Sequence, residues 1–365
     1  MQLIDFIAAL ERLAPPSLQE DYDNAGLITG NPHWNCTGVL ISLDATEAVI
    51  EEAKEKGCNL VVAHHPIVFR GLKKITGKNY VERTIISAIK NDIAIYAIHT
   101  NLDNVIEGVN GKIADLLGLQ NRRILVPKSG LLQKLSVFVP LAHKESVMNA
   151  LFAAGAGHIG HYSECSFSTE GKGSYKAGEG ADPYLGTIGE RHTENEYRLE
   201  VIFPQWLQAG IVKAMTEAHP YEEVAYDIYP LANAFQHTGS GLVGDLAEPV
   251  AEQDMLARLK SIFGTGVVKH TQLRNKPLKK IALCGGSGSF LTGAAIAAGA
   301  DMYITADVKY HEFFDADGRT VLADIGHYES EQFTKDLLFD ILREKFPNFA
   351  VLKTGVNTNP VLYFA

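Results

Sequence analysis

The sequence predicts an α/β protein built from two similar α/β halves, with an inserted ferredoxin-like α+β domain between them. Three observations carry that prediction. Strand-like and helix-like segments alternate from the start of the chain; the same alternation returns near the C-terminus; and between the two the order changes to β-α-β-β-α-β. Alternation of this kind implies parallel strands covered by helices, whereas the middle order is that of ferredoxin-like domains.

In the first half, MQLIDFIAALERLAPP carries Asp5 and Glu11 inside its apolar pattern and has no basic lead, so it reads as an amphipathic helix rather than a signal peptide. The strands GVLISLD, NLVVAHHP and IAIYAIHT come next, separated by the helical segments TEAVIEEAKEKG and VERTIISAIKND, and NVIEGVNGKIADLLGL closes the run. In the last third the strands KKIALC, DMYITAD, TVLADIG and FAVLKTG alternate with SFLTGAAIAAGA, KYHEFFDADG and YESEQFTKDLLFDILREKF. EAKEKGCNLVVAHH and AIAAGADMYITAD echo one another, which is equally compatible with duplication and with the general likeness of βα units. Between them KLSVFVP, KESVMNALFAAG, HYSECSFSTEGKGSY, EYRLEVIFP, WLQAGIVKAMTEAHP and EVAYDIYPL supply the β-α-β-β-α-β order, placing the core at residues 1–126 and 232–365 and the insert at 127–231. The stretch EGKGSYKAGEGADPYLG holds too many glycines for a rigid element and reads as a long mobile hairpin loop.

Composition limits the function. At 365 residues and 46% hydrophobic content the chain can bury full cores. A net charge of -10 argues against general attraction to nucleic acid or anionic membrane. No apolar run approaches the roughly 20 residues that a bilayer demands. Cys36, Cys58, Cys165 and Cys284 form no C-x-x-C, so neither a disulfide framework nor a thiolate zinc knuckle is expected, and a cytoplasmic location fits.

The chemistry gathers where strands stop. NLVVAHHP ends on His64 and His65, IAIYAIHTNLD ends on Asp103, and TVLADIGHYESE delivers His327 and Glu331 four residues apart. In open parallel sheets ligands bind beyond the carboxyl ends of strands. Three imidazoles and two carboxylates exceed the four ligands of a closed tetrahedral zinc site. The expectation is therefore a site for two divalent cations, with Glu331 bridging, His65 and Asp103 on one metal, and His64 and His327 on the other. Such a pair activates water for hydrolysis. Zinc, iron, manganese and cobalt all suit these ligands. Asp44 and His99 are expected to orient a ligand or relay a proton, and Tyr310 to stand close by. His311 is the expected general acid, with Glu331 as the other catalytic residue. The turn GGSGS reads either as a phosphate-binding turn at a helix start or as a plain strand-to-helix turn. Lys73 and Lys74 are candidates to reach a phosphate chain, or else solvated surface lysines.

The sequence resembles the NIF-three-like family, whose members are often labelled GTP cyclohydrolase I type 2 homologs. The matching segments are YDNAGL at Tyr22–Leu27, SLDAT at Ser42–Thr46, AHHP at Ala63–Pro66, HTNLD at His99–Asp103, CGGSGS at Cys284–Ser289, ADVKYHE at Ala306–Glu312 and GHYESE at Gly326–Glu331. One departure is Tyr22, where members usually carry Trp. The resemblance implies a dinuclear site at positions corresponding to His64, His65, Asp103, His327 and Glu331, an insert similar to the PII-like or CutA-like domain of longer members, and a toroidal homohexamer. Two functions are expected on this basis. One is a metal-dependent hydrolase acting on a nucleotide or related heterocycle, with the GTP label resting on resemblance. The other is a non-enzymatic metal-binding or regulatory hexamer whose insert senses a small molecule or docks a partner.

Overall fold

The computed structural model describes residues 1–364, which form two compact units: Met1–Pro127 together with the chain from His237 onward, and Lys128–Gln236. The discontinuous unit carries two sheets. The first has five strands in the order Gly26–Thr29, Ala94–Ala97, Leu60–His65, Val39–Asp44 and Val351–Lys353, all parallel except the first. Val39–Leu43 and Leu60–His64 are buried throughout, as expected of strands covered on both faces. Both open toward solvent only at their last residue, Asp44 and His65. The covering helix Glu47–Glu55 begins at Thr46, whose hydroxyl accepts from Val49 N, and Tyr80–Lys90 begins at Asn79, whose carboxamide accepts from Glu82 N. Both are side-chain caps on otherwise orphaned donors.

The second sheet runs Lys269–His270, Val321–Asp324, Met302–Ala306, Leu278–Ser287, Ala234–Val250 and Gln120–Ser129. The strands Val321–Asp324, Met302–Ala306 and Leu278–Ser287 are parallel. Tyr303, Ala282, Val243 and Leu322 pack in its core with Leu291 and Ala295.

The two sheets do not divide the chain into sequential halves. Val351–Lys353, which the alternation assigns to the second half, pairs in parallel with Val39–Ile41 of the first sheet. Its preceding helix, Thr334–Lys345, buries Leu338 and Leu342, and Phe346 and Phe349 beyond it meet the buried ring of Phe6 at 4.4 and 4.7 Å. Those aromatic contacts direct the chain back to the N-terminal sheet. Conversely, Gln120–Ser129 forms an edge of the second sheet. The segment YESEQFTKDLLFDILREKF is also not one helix: it divides into His327–Glu331 and Thr334–Lys345. KYHEFFDADG forms a 3-10 turn over Tyr310–Ala316 in place of the expected α-helix.

In the other unit, Leu132–Pro140, Lys144–Ala153, Ser166–Lys176, Arg191–Pro204, Gln208–Ala218 and Tyr226–Leu231 succeed one another as β-α-β-β-α-β. Numbered within the unit, the strands lie in the order 2-3-1-4 with every neighbour antiparallel. Leu135, Val137, Val139, Leu199, Val201 and Phe203 face Val147, Leu151, Ile211 and Met215 of the helices. The glycine-rich stretch departs from the expected mobile loop. Glu170–Lys176 is strand, paired residue by residue with Arg191–Tyr197, and the chain leaves the ladder only after Lys176. Glycines at 171 and 173 weaken a strand by propensity, yet the ladder forms regardless. Among the described residues, no helix is long and apolar enough to cross a membrane.

Candidate metal centre

His64 and His65 reach the rim of the first sheet because Leu60–His65 runs parallel to Val39–Asp44, in a register that sets His65 beside Asp44. Pro66 comes next and ends the strand. The chain after Ala94–Ala97 turns at His99 into the short helix Thr100–Asp103, which carries Asp103 to the same rim. From the second sheet, Val321–Asp324 leads through Gly326 to the helix His327–Glu331. All five residues belong to the discontinuous unit, and Asp44, His65, His99, Asp103, His327 and Glu331 line a cleft of about 1560 Å³.

Each of the three expected imidazole ligands is held the same way. His64 Nδ1 lies 2.8 Å from the Ile98 carbonyl oxygen, His65 Nδ1 2.7 Å from Asp44 Oδ1, and His327 Nδ1 2.7 Å from Asp307 Oδ2. Each Nδ1–H donates to an oxygen, which fixes the ring and turns its Nε2 inward. The inward atoms converge. His65 Nε2 and His327 Nε2 are 2.9 and 3.0 Å from Glu331 Oε2 and 3.4 Å from each other. His64 Nε2 is 3.6 Å from Asp103 Oδ1 and 3.9 Å from Glu331 Oε1.

One inner atom is left out of the ion-pair network. His64 is fully buried, and its Nε2 has no hydrogen-bond partner, an omission that costs about 1–3 kcal/mol in a finished core. Its carboxylate neighbours are too distant to be acceptors. Ligand bonds of about 2.0–2.2 Å to a common tetrahedral ion place donor atoms about 3.3–3.6 Å apart, close to the spacings found. Three groups of ligand atoms form: His64 with Asp103 and Glu331, His65 with His327 and Glu331, and His64 with His65 and His99. The residues therefore fit divalent metal. Asp103 lies nearest His64, and His327 nearest His65, whereas the expected grouping set Asp103 with His65 and His327 with His64. Consecutive strand residues diverge, so His64 turns toward the short helix carrying Asp103 while His65 turns toward the helix His327–Glu331.

Electrostatics reflect the crowding. Burial and the neighbouring charge of Glu331 push the Asp103 carboxyl well up. Burial opposes ionisation of Glu331 as well, but His327, His64 and His65 together hold it well below the usual range. Burial likewise works against charging His65 and His327, and is overcome: Asp44 and Glu331 raise His65 to about 10, and Glu331 with Asp307 raises His327 to about 11. His64, with burial dominant, is lowered.

Glu331 is seated by backbone that only glycine allows. Gly286 adopts φ +61, and a Cβ there would lie 2.3 Å from Glu331 Oε1. Gly286 N donates to Ser330 Oγ at 3.0 Å, and Gly285 N to Asn110 Oδ1 at 2.9 Å. Those donors are occupied, and the helix beyond, Thr292–Ala297, has only six residues. The GGSGS turn thus backs the Glu331 carboxylate, with two of its backbone donors already engaged.

The remaining expected residues divide. Asp44 holds His65 and accepts in turn from Thr358 Oγ1 at 2.5 Å. His99 stands with its ring centre 5.3 and 5.4 Å from those of His64 and His65, its Nδ1 2.8 Å from Asp23 Oδ1. Two expected site residues need correction. His311 and Tyr310 are exposed and are not among the cleft-lining residues; their rings contact each other and Phe314. The 3-10 turn beginning at Tyr310 carries them away from the strand end. Lys73 and Lys74 are exposed and outside the lining too. Asp307 and Asp23 are the residues that sequence reasoning misses. Asp307 directly succeeds the strand Met302–Ala306, in left-handed backbone (φ 53). Strand-end position is the available signal for it. Asp23 lies in a loop, and no periodicity marks it. Burial opposes its ionisation, but His99 and Thr100 bring it down to about 2.

A sequence profile described as Duf34/NIF3 (NGG1p interacting factor 3) matches residues 1–360. The chain belongs to this family. It is 39% identical over 363 residues to the GTP cyclohydrolase 1 type 2 homolog of Halalkalibacterium halodurans, covering 98% of this chain and 97% of the relative. To the protein of the same name in Bacillus subtilis it is 38% identical, over 98% and 97%. Among solved structures, a Bacillus cereus protein related to NIF3 superposes with a TM-score of 0.87 at 37% identity, covering 100% of this chain and 99% of the other. A Staphylococcus aureus protein superposes with a TM-score of 0.79 at 29% identity, with the same coverage. Family membership spans both units, the insert included.

Metal must displace protons from His65 and His327, whose raised pKa values keep them charged in the metal-free protein at neutral pH. Affinity should therefore rise with pH toward about 10, and calorimetry in buffers of different ionisation enthalpy should show proton release at pH 7. In the metal-free protein the same two groups contribute stability that is complete below about 6.5 and lost as pH rises through about 10 and 11. An affinity independent of pH would contradict the ligand assignment. Gly286→Ala should displace the Glu331 carboxylate and weaken metal binding by about 10- to 100-fold in competition with a chromogenic chelator.

Proposed function

We propose that this protein holds two divalent cations bridged by Glu331 and hydrolyses a nucleotide or related heterocycle. The observation that carries the reading is the sharing of Glu331 between two ligand groups, Oε1 toward His64 and Oε2 toward His65 and His327. Divalent ions bound there would supply Lewis acidity and lower the pKa of water. The chain's own residues supply the rest. Asp44, Asp307 and the Ile98 carbonyl hold the rings against rotation. His99 lines the cleft with Nδ1 tied to Asp23, which leaves Nε2 for proton transfer at the cluster. His99 therefore takes the acid–base role first expected of His311. The names of the relatives, GTP cyclohydrolase 1 type 2 homologs, favour a purine nucleotide among substrates.

The insert we read as ferredoxin-like, from its β-α-β-β-α-β order and 2-3-1-4 antiparallel sheet. A hexameric assembly, on the strength of family resemblance, and a cytoplasmic location, on that of the widely spaced cysteines, belong to the same proposal.

Glu331→Gln keeps the shape of the side chain but removes the charge that two cations share. Elemental analysis should show two metals per chain in the parent protein and one or none in the variant; two in both would refute the bridge. His99→Ala should keep both metals and reduce turnover by about 10²-fold or more. The substrate panel for that assay is purine nucleotides, phosphoesters and cyclic amides. Absence of turnover with every member, beside tight saturable binding of one, would replace the hydrolase with the non-enzymatic regulator.

A further inference from the structure

The insert contains a second cavity, of about 780 Å³, lying wholly within Lys128–Gln236. Its size is that of a small-molecule site. Glu196 lies on its lining with only 7% of its surface exposed. Glu196 Oε1 accepts from Tyr221 Oη at 3.1 Å. Among the described residues, no lysine, arginine or histidine forms an ion pair with its carboxylate. A buried carboxylate normally has a cationic partner.

The sequence keeps that space open. Gly173 sits on the neighbouring strand, and a Cβ there would lie 2.0 Å from Glu196 Oε2. Any other residue would displace the acid. This accounts for a glycine in the middle of a strand, where propensity disfavours it.

Three tyrosines line the same cavity. Tyr175 and Tyr184 have ring centres 6.0 and 6.1 Å from that of Tyr221, at interplanar angles of 64° and 48°. The rings are fixed from behind. Tyr175 Oη donates to the Leu185 carbonyl at 2.5 Å, Tyr184 Oη lies 3.1 Å from His143 Nε2, and His219 packs edge-on to Tyr221 at 5.0 Å. Inclined aromatic faces beside a carboxylate are the chemistry that recognises organic ammonium ions. The basic residues on the lining do not compete for Glu196: the Arg198 guanidinium is engaged by Ser136 Oγ at 3.0 Å and Glu200 at 2.7 Å, and Lys172 and Lys176 are exposed.

We propose that this cavity binds a small organic ammonium ion, with Glu196 neutralising its charge and Tyr175, Tyr184 and Tyr221 enclosing its alkyl groups. The cavity lies in the unit that does not carry the candidate metal ligands. Its ligand class is the alkylamines and quaternary amines, and the cavity has room for a larger molecule bearing such a group.

The test uses the full chain and calorimetric titration with choline, tetramethylammonium, putrescine and cadaverine. At least one should bind saturably at one site per chain, and the neutral isostere 3,3-dimethylbutan-1-ol should bind at least about tenfold more weakly than choline if choline is the ligand. Glu196→Gln and Tyr221→Leu should each weaken the bound amine about tenfold or more, with metal content unchanged. The isostere comparison needs no variant, so misfolding of either variant leaves the proposal open to refutation. No saturable binding of any of the four amines up to about 10 mM, or equal binding of the neutral alcohol, would overturn it.

Discussion

The metal centre depends on a single constraint applied three times: each inward-facing imidazole has its outer nitrogen bound to an oxygen of the surrounding protein. A carbonyl does this for His64, and carboxylates do it for His65 and His327. Without those bonds the rings would be free to turn, and either nitrogen could carry the proton. With them, three Nε2 atoms converge on two acidic side chains: those of His65 and His327 meet Glu331 at hydrogen-bond distance, and that of His64 is left without a partner. The fold supplies the outer oxygens from different elements, so the site rests on the packing of both sheets. Asp44 ends one strand, Asp307 lies just past another, and Ile98 just past a third.

Glu331 links the two groups of ligands because of its backing as much as its charge. It is almost entirely buried, and Gly286 lies against it where a side chain would intrude. Three imidazoles offset the cost of burying its carboxylate, while Asp103 is disfavoured as an anion by the same neighbour. The pair thus carries less charge when empty than its composition suggests. Bound cations would reverse that balance.

Much of this is legible in the sequence, and the limits are physical. The strands ending at Asp44, His65, Ala306 and Asp324 announce themselves through apolar runs, and strand ends in parallel sheets mark where ligands gather. What periodicity does not carry is which ring turns to which metal, since that depends on the path of the chain beyond each strand. For this reason spacing alone sets Asp103 with His65 and His327 with His64, where the structure has Asp103 nearest His64 and His327 nearest His65. His311 departs from expectation on related grounds: a 3-10 turn in place of an α-helix carries it off the cleft, while Asp307, closer to the strand end, takes the supporting position. Asp23 illustrates a third limit, a loop residue whose role exists only through the fold. The sheet membership of Val351–Lys353 is hidden because a βα unit carries no record of the sheet it will join.

The first ligand pair and the last are separated in sequence by the whole insert, and the final strand of the N-terminal sheet comes after both. During synthesis, a growing polypeptide exposes His64, His65 and Asp103 long before Glu331 has emerged from the ribosome. Of the three groups of potential ligand atoms, one, His64 with His65 and His99, is carried by this stretch alone, and the other two need Glu331. The two groups that include Glu331 form only when the chain before the insert and the chain after it have folded together.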